Sequence, residues 1–227
     1  ERLFSPELGY FQNRFFNGAF SPVKTMTIFY PLLADLCDRQ VQDRLRNILL
    51  DPNQFWGDDV IPTVSRDDPA YVKDPWRDDY WLGNYWRGNV WPPTNYITWL
   101  ALRQAGWDDV AAAFAKKSIR MFMDDWRPRQ HAMENYPPAG RTDQYHCWFG
   151  NGGRDPHYIW SGLLPLLGLE QLFSVEDLAP GCRFGTLHPE AFGTWTGFIY
   201  HGHRATISAG PDGVSFQLGD WLSFRTA

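Results

Sequence analysis

Cysteine is scarce: Cys37, Cys147 and Cys182 are the only three, an odd number with no CxxC spacing. That excludes a disulfide framework or a thiolate zinc site as the organising device and leaves buried or free thiols. No apolar run reaches about 18 residues, so no transmembrane helix is expected. Runs of lysine and arginine are missing and the net charge is −5, so neither nucleic acid nor an anionic membrane is an expected partner. The N-terminal ERLFSPELGYFQNRFF has no initiator Met and no basic-then-apolar layout of a signal peptide. It reads as a start inside a longer protein, which says nothing about compartment. Gly150–Gly153 is no phosphate loop, since GxxxxGK[ST] is absent, and no GxSxG elbow suggests a nucleophilic serine.

What remains is aromatic and globular. Hydrophobic residues make up 44%, aromatics 17% and charged residues 21% of 227 residues, enough for a real core and between one and two domains. From about Pro22 to Phe173 the ordered pieces read as helices joined by long, aromatic-rich loops. Val23–Cys37 is apolar enough for a helix that Pro31 must kink or split. Asp38–Leu50 places Val41, Leu45, Ile48 and Leu49 at helical spacing and stops at Asp51-Pro52. Pro93–Ala105 is expected to pack through Tyr96, Ile97, Leu100, Ala101 and Gln104, with Gly106 ending it. Asp108–Asp125 follows with Val110, Ala111, Phe114, Ala115, Ile119 and Phe122 on one face, completing an αα-hairpin. A last helix is expected over Pro156–Phe173, with Asp155 as N-cap. Beyond Ser174 the pattern becomes β-prone, over Thr194–Ile207 and Val214–Phe224, with Pro211-Asp212-Gly213 as a turn.

Three stretches carry chemistry. In and before LGNYWRGNVWPPTNY (Leu82–Tyr96), Trp76, Trp81, Trp86 and Trp91 recur every fifth residue, a spacing that fits neither a helix nor a strand. Indoles on an irregular loop, with Arg87 and two Asn, suit a sugar-binding wall. Simple core packing by large aromatics suits them equally well. Glu134, in MENYPPAG just after a helix, is the candidate acid–base group, because glycoside hydrolysis needs a held carboxyl; a solvated loop charge is the plain alternative. Arg87 offers a bidentate fork for a hydroxyl or carboxylate, or else a salt bridge to a nearby Asp, and Gly88 suggests close backbone approach or positive φ. Ser65–Asp74 clusters oxygen ligands but matches no cation loop, and His188, His201 and His203 lack a ligand pattern, so no metal is expected.

Read together, YWRGNVWPPTNY (Tyr85–Tyr96), ENYPPAG (Glu134–Gly140) and HYIWSGLLPL (His157–Leu166) resemble the (α/α)6-barrel glycosidases. The closest likeness is to glycoside hydrolase family 63 and its mannosylglycerate-hydrolase-like relatives, with trehalases as cousins. The segment IPTVSRDDPAY (Ile61–Tyr71) is similar to the loop before the YWRG block in bacterial members. The resemblance implies an inverting, exo-acting α-glycosidase. Glu134 would be its general base, and Tyr85, Trp86, Arg87 and Trp91 would line the pocket with Asn95, Tyr136 and Trp160.

The family's general acid is an Asp in a Trp/Asp-rich motif of the first half of the barrel, and no such motif precedes Tyr85 here. An inverting enzyme needs both carboxyls, about 6.5–9.5 Å apart. The resemblance therefore implies that 1–173 is the C-terminal part of a mainly α, (α/α)6 toroid, followed by a small β-rich unit over 174–227. The acid would be an Asp outside this chain, supplied by the N-terminal remainder of the domain. The substrate would be an oligosaccharide or small glycoside, with no cofactor. The rival is a catalytically inactive carbohydrate-binding remnant of the same fold. A pairing of Glu134 with Asp79 or Asp67 inside the chain is a third possibility.

Overall fold

Helix α1 (Arg39–Leu50) starts where Asp38 takes an extended conformation and its carboxylate accepts from the Val41 amide (2.9 Å). That bond satisfies one of the amides orphaned at a helix start. The computed structural model to which this helix belongs describes residues 2–58, 60–72, 85–130, 132–137, 158–172, 174–178, 181–185, 193–200, 202–220 and 222–225. The chain divides into two compact units, Glu1–Leu167 and Gly168–Ala227.

In the first unit a short antiparallel ribbon, β1 (Phe4–Ser5) with β2 (Tyr10–Phe11), precedes the helices. The helix expected over Val23–Cys37 is shorter and tighter, a 3-10 helix over Met26–Leu32 with Pro31 inside it. Pro31 has no amide to donate, so the segment cannot run on as an α-helix and turns away at Leu33–Asp35. Helix α2 (Pro92–Gln104) carries Pro at its first two positions, where amides lack helical partners anyway. Helix α3 (Asp108–Arg129) follows a three-residue link containing Gly106 at φ +71°. Its acids sit in the first turn and Arg127 and Arg129 in the last, as the helix dipole favours. It runs one turn past Asp125 and ends on Gln130 in the left-handed region.

The packing face of α2 matches the expected stripe at Ala101, with Tyr96 and Leu100 packed against the core, and differs from it elsewhere. The buried residues are Pro92, Asn95, Thr98, Trp99, Ala101 and Leu102, whereas Gln104 is exposed and Tyr96, Ile97 and Leu100 are only partly covered. Apolar spacing misled because two polar residues point inward. Asn95 Nδ2 donates to the Ile61 and Trp91 carbonyls (3.2 and 3.0 Å), and the Thr98 hydroxyl donates to the Thr94 carbonyl (2.9 Å). Bonded this way, they avoid most of the cost of burying a polar group. Around them pack Phe29, Leu45, Leu49, Phe55, Trp99, Leu102 and Phe114.

The last helix also starts later than expected. Tyr158 is extended, Ile159–Gly162 forms a 3-10 turn, and α4 (Leu163–Leu172) begins there; Asp155 and Pro156 lie outside the described residues.

In the second unit β3 (Ser174–Leu178) pairs with β4 (Gly181–Gly185). A separate four-stranded antiparallel sheet runs β5 (Gly193–Tyr200), β6 (His203–Gly210), β7 (Gly213–Leu218), β8 (Leu222–Arg225). The run Thr194–Ile207 is thus two strands, while Pro211-Asp212 links β6 to β7 as the turn chemistry predicts. Alternation buries Ala205, Ile207 and Ala209 of β6 with Val214, Phe216 and Leu218 of β7 on one face.

Cys37 is buried, and burial first, then Asp38 and Asp35, push its thiol from an ordinary value near 9.0 to about 11. A folded-state value above the unfolded one means that the native chain keeps a proton the unfolded chain releases first. That contribution is whole below a pH near 9.0 and is lost as pH rises towards about 11. The urea midpoint of the wild type is expected to fall between these two pH values, and Cys37→Ala to flatten that part of the curve.

Candidate active site

The segment Tyr85–Val90 is shaped by its neighbours on both sides. Trp91 Nε1 donates back to the Tyr85 carbonyl (2.8 Å) and closes the loop on itself. Gly88 has φ +154°, and a Cβ there would meet the Val72 carbonyl oxygen at 3.0 Å and the Tyr71 ring at 3.1 Å. Glycine is therefore required for both reasons that its place in the motif suggests. The Gly88 amide donates to Thr63 Oγ1 (3.1 Å), the Thr63 amide to the Asn89 carbonyl (3.1 Å), and the Val72 amide to the Arg87 carbonyl (2.8 Å). Ile61–Tyr71 is thus the bed on which this loop lies. Its other edge is tied down by the Met26 amide on the Thr63 carbonyl (3.1 Å) and the Ser65 amide on the Lys24 carbonyl (2.9 Å).

On the far side the loop meets the segment leaving α3. Val90 and Tyr136 exchange both backbone bonds (2.8 and 2.9 Å), an isolated antiparallel bridge. A third segment joins them: the Tyr158 amide donates to the Ala132 carbonyl (2.8 Å), the Ser161 hydroxyl to the Met133 carbonyl, and Trp160 Nε1 to the Glu134 carbonyl (2.8 Å). Three stretches far apart in sequence are stapled into one patch.

Glu134 sits at the centre of that patch and is 8% exposed, so it is no solvated loop charge. Its Oε1 accepts from the Tyr85 hydroxyl (2.7 Å), and its Oε2 lies 3.5 Å from Asn135 Nδ2. No cation pairs with it among the described residues. Burial first, then the bond and the charge of Glu134, push the Tyr85 phenol well above its ordinary value, so it stays a donor. A carboxylate held by neutral donors keeps its negative charge available to a proton of bound water.

Beside it the indoles form a stack. Trp86 lies on Trp91 with centroids 3.8 Å apart and planes within 9°; Tyr85 and Trp160 meet Trp91 edge-on at 4.7 and 5.6 Å. Tyr158 adds a contact to Trp160 at 4.3 Å. Trp91 is 1% exposed and serves as the platform, whereas Trp86 is 50% exposed. Core packing thus accounts for Trp91, and Trp86 leaves one face open. Trp76 and Trp81 lie outside the described residues.

Of the residues expected to form the site, the structure brings together Glu134, Tyr85, Trp86, Trp91 and Trp160. Arg87 donates from Nε to the Ala70 carbonyl (2.9 Å), a bond that holds loop to bed. Asn95 and Tyr136 are fully buried, the first in α2 and the second at the bridge. Asn89 and Asn135 stand in the motifs without an expected role, yet Asn89 Nδ2 bonds Asn135 Oδ1 in the interior beside Glu134. A buried amide pair leaves no periodic trace; only two Asn residues within short Gly- and Pro-marked motifs hint at it.

The two described acids of Ser65–Asp74 are bonded locally, and Asp74 lies outside the described residues. Asp67 takes Lys24 Nζ (2.7 Å) and the Ser65 hydroxyl (2.6 Å), and Asp68 takes the Lys24 and Ala70 amides (2.7 and 2.8 Å). Asp79, His188 and His201 lie outside the described residues. Replacing Gly88 by Ala should cost about 1–3 kcal/mol through the positive φ and the Val72 contact. The urea midpoint should fall, and hydrogen exchange should quicken at the Gly88 and Val90 amides before it does in α2.

Residues 1–161 match the mannosylglycerate hydrolase MGH1-like glycoside hydrolase domain. No curated protein matches the chain. Among solved structures it is similar to a sialidase, with 16% identity and a TM-score of 0.69 over 96% of this chain and 21% of that one. It is also similar to the glycoside hydrolase family 63 mannosylglycerate hydrolase of Thermus thermophilus. With Tris and D-glycerate bound, that enzyme gives 22% identity and a TM-score of 0.54 over 73% of this chain and 34% of that one. Its glucose complex gives 22% identity and 0.53 over the same shares. At these identities the likeness is one of fold, and the chain spans between 21% and 34% of the length of these structures. The family match covers well over half of the chain and agrees with the resemblance carried by the YWRG, ENY and HYIW blocks. The chain belongs to the mannosylglycerate hydrolase MGH1-like glycoside hydrolase domain family.

Proposed function

We propose that this chain is the base-bearing part of an inverting, exo-acting α-glycosidase. Residues 1–173 would be the C-terminal part of an (α/α)6 toroid and 174–227 a β-rich unit appended to it. The observation that carries the reading is the Glu134 carboxylate, buried, unpaired with any cation among the described residues and held by Tyr85 beside a half-exposed indole. Glu134 draws a proton from water as that water attacks the anomeric carbon. The leaving oxygen takes its proton from an Asp outside this chain, in the N-terminal remainder of the domain. Trp86 offers its open face to the apolar face of a pyranose ring, and Trp91 and Trp160 keep that face in place. Arg87, Asn95 and Tyr136 act behind the wall by fixing its backbone. The substrate is an oligosaccharide or small glycoside, and the reaction needs no cofactor.

The test is turnover of a panel of aryl α-glycosides and α-linked disaccharides by the full reading frame, with NMR following the anomer first released. Inversion that disappears in Glu134→Gln, with a loss of about 10²–10⁴-fold in kcat, is the expected outcome. Wild-type rates in Glu134→Gln would remove the base assignment, and sugar binding without cleavage would favour a binding remnant. Tyr85→Phe keeps the ring contacts and loses one bond to a charged group. It should lower kcat about tenfold or more, with KM changed little.

A further inference from the structure

Tyr158 belongs to the aromatic cluster beside Glu134, yet its hydroxyl is used by nothing there. Its backbone is extended and held at both ends. The amide donates to the Ala132 carbonyl (2.8 Å), and the carbonyl accepts from the Ser161 amide (3.2 Å). The ring lies against Trp160 at 4.3 Å; Trp160 in turn meets Trp91 at 5.6 Å and donates to the Glu134 carbonyl (2.8 Å). Burial, then the bond and charge of Glu134, and last the charge of Tyr158 raise the Tyr85 phenol, which agrees with two phenols close together. The polar tips of Tyr85, Trp91 and Trp160 are each bonded inside the patch. The Tyr158 hydroxyl has no hydrogen-bond partner among the described residues.

We propose that Tyr158 is a substrate-binding residue: its hydroxyl takes one hydroxyl of the glycoside bound beside Glu134 and so selects sugars that carry a hydroxyl at that position. The proposal rests on the reading of the patch as a glycosidase site. Tyr158 is only half-buried, so water can meet its hydroxyl when no sugar is bound. A sugar that covers it displaces that water, and the hydroxyl is then left unpaired unless the sugar supplies a partner. A phenol both donates and accepts, which suits an alcohol. The ring is already fixed by Trp160 and by the backbone bonds, so little side-chain freedom is lost on binding. Stacking on Trp86 reads the apolar face of a ring and says little about a single hydroxyl. Discrimination between sugars that differ in one hydroxyl needs a polar contact. Tyr85 is committed to the carboxylate, which leaves Tyr158 for recognition.

Tyr158→Phe, made in the full reading frame, tests this on the best aryl α-glycoside of the panel and on the monodeoxy forms of that glycoside. The hydroxyl bonds nothing among the described residues, so Tm should not change. The variant should lose about three- to tenfold in kcat/KM on the parent glycoside and on every monodeoxy form but one. On the form that lacks the partner of Tyr158 the wild type is already slow, and the variant should lose nothing further. Tryptophan fluorescence gives a readout without turnover: binding of the same compounds to Glu134→Gln and to Glu134→Gln/Tyr158→Phe should show the same pattern in Kd. An undiminished kcat/KM on the parent, an equal loss on every monodeoxy form, or a lowered Tm would overturn the proposal. Wild-type turnover in Glu134→Gln would instead remove the base assignment, and the monodeoxy comparison in the wild-type background would still decide Tyr158. A full chain that neither cleaves nor binds any member of the panel would remove both.

Discussion

Val90 and Tyr136 exchange two backbone hydrogen bonds, and everything at the candidate site hangs from that pair. The bridge brings a loop entering α2 against a loop leaving α3, 46 residues apart at Asn89 and Asn135. Without it Tyr85 would have no reason to meet Glu134. An isolated bridge is weak by itself, since each exchange of water for protein contributes only about 1 kcal/mol. It survives because both of its residues are completely buried and the flanking groups are bonded too. Thr63 holds one side through Gly88 and Asn89, and Trp160 and Ser161 hold the other through Glu134 and Met133.

The same logic explains the division of labour among the aromatics. A stacked pair such as Trp86 and Trp91 is worth about 0.5–1.5 kcal/mol beyond its buried area. The buried ring gains it as a core residue, and the outer ring is thereby held in one orientation without being covered. A half-exposed indole free to rotate would lose side-chain entropy on meeting a ligand; one pinned from behind has already lost it. Helices α2 and α3 contribute by starting and ending, respectively, beside the site. The Pro residues that open α2 follow Trp91 directly, and the left-handed Gln130 that closes α3 releases the chain towards Glu134.

Much of the helical framework was legible because it obeys local rules. Asp38 before α1, Pro92-Pro93 at the head of α2, Gly106 between α2 and α3, and Pro211-Asp212 in the β6–β7 turn each act over a few residues. The departures have separate physical causes, some local and some tertiary. Asn95 and Thr98 are buried polar positions of α2, the first bonded across to the Ile61 carbonyl and the second to its own helix at Thr94. Pro31 confined its segment to a 3-10 helix, and the last helix begins only after Tyr158, whose amide bonds the Ala132 carbonyl.

The sequence by itself determined the family, through the order YWRG, ENY, HYIW, and it singled out Glu134 and the indole-rich loop as the candidate site. Only the tertiary structure decided which indole is platform and which is open, that Arg87 serves the loop's backbone through Ala70, and that Asn89 reaches Asn135. Those outcomes depend on distances of about 3–4 Å between segments separated by tens of residues. No periodicity or spacing along the chain encodes such distances until the bridge has closed.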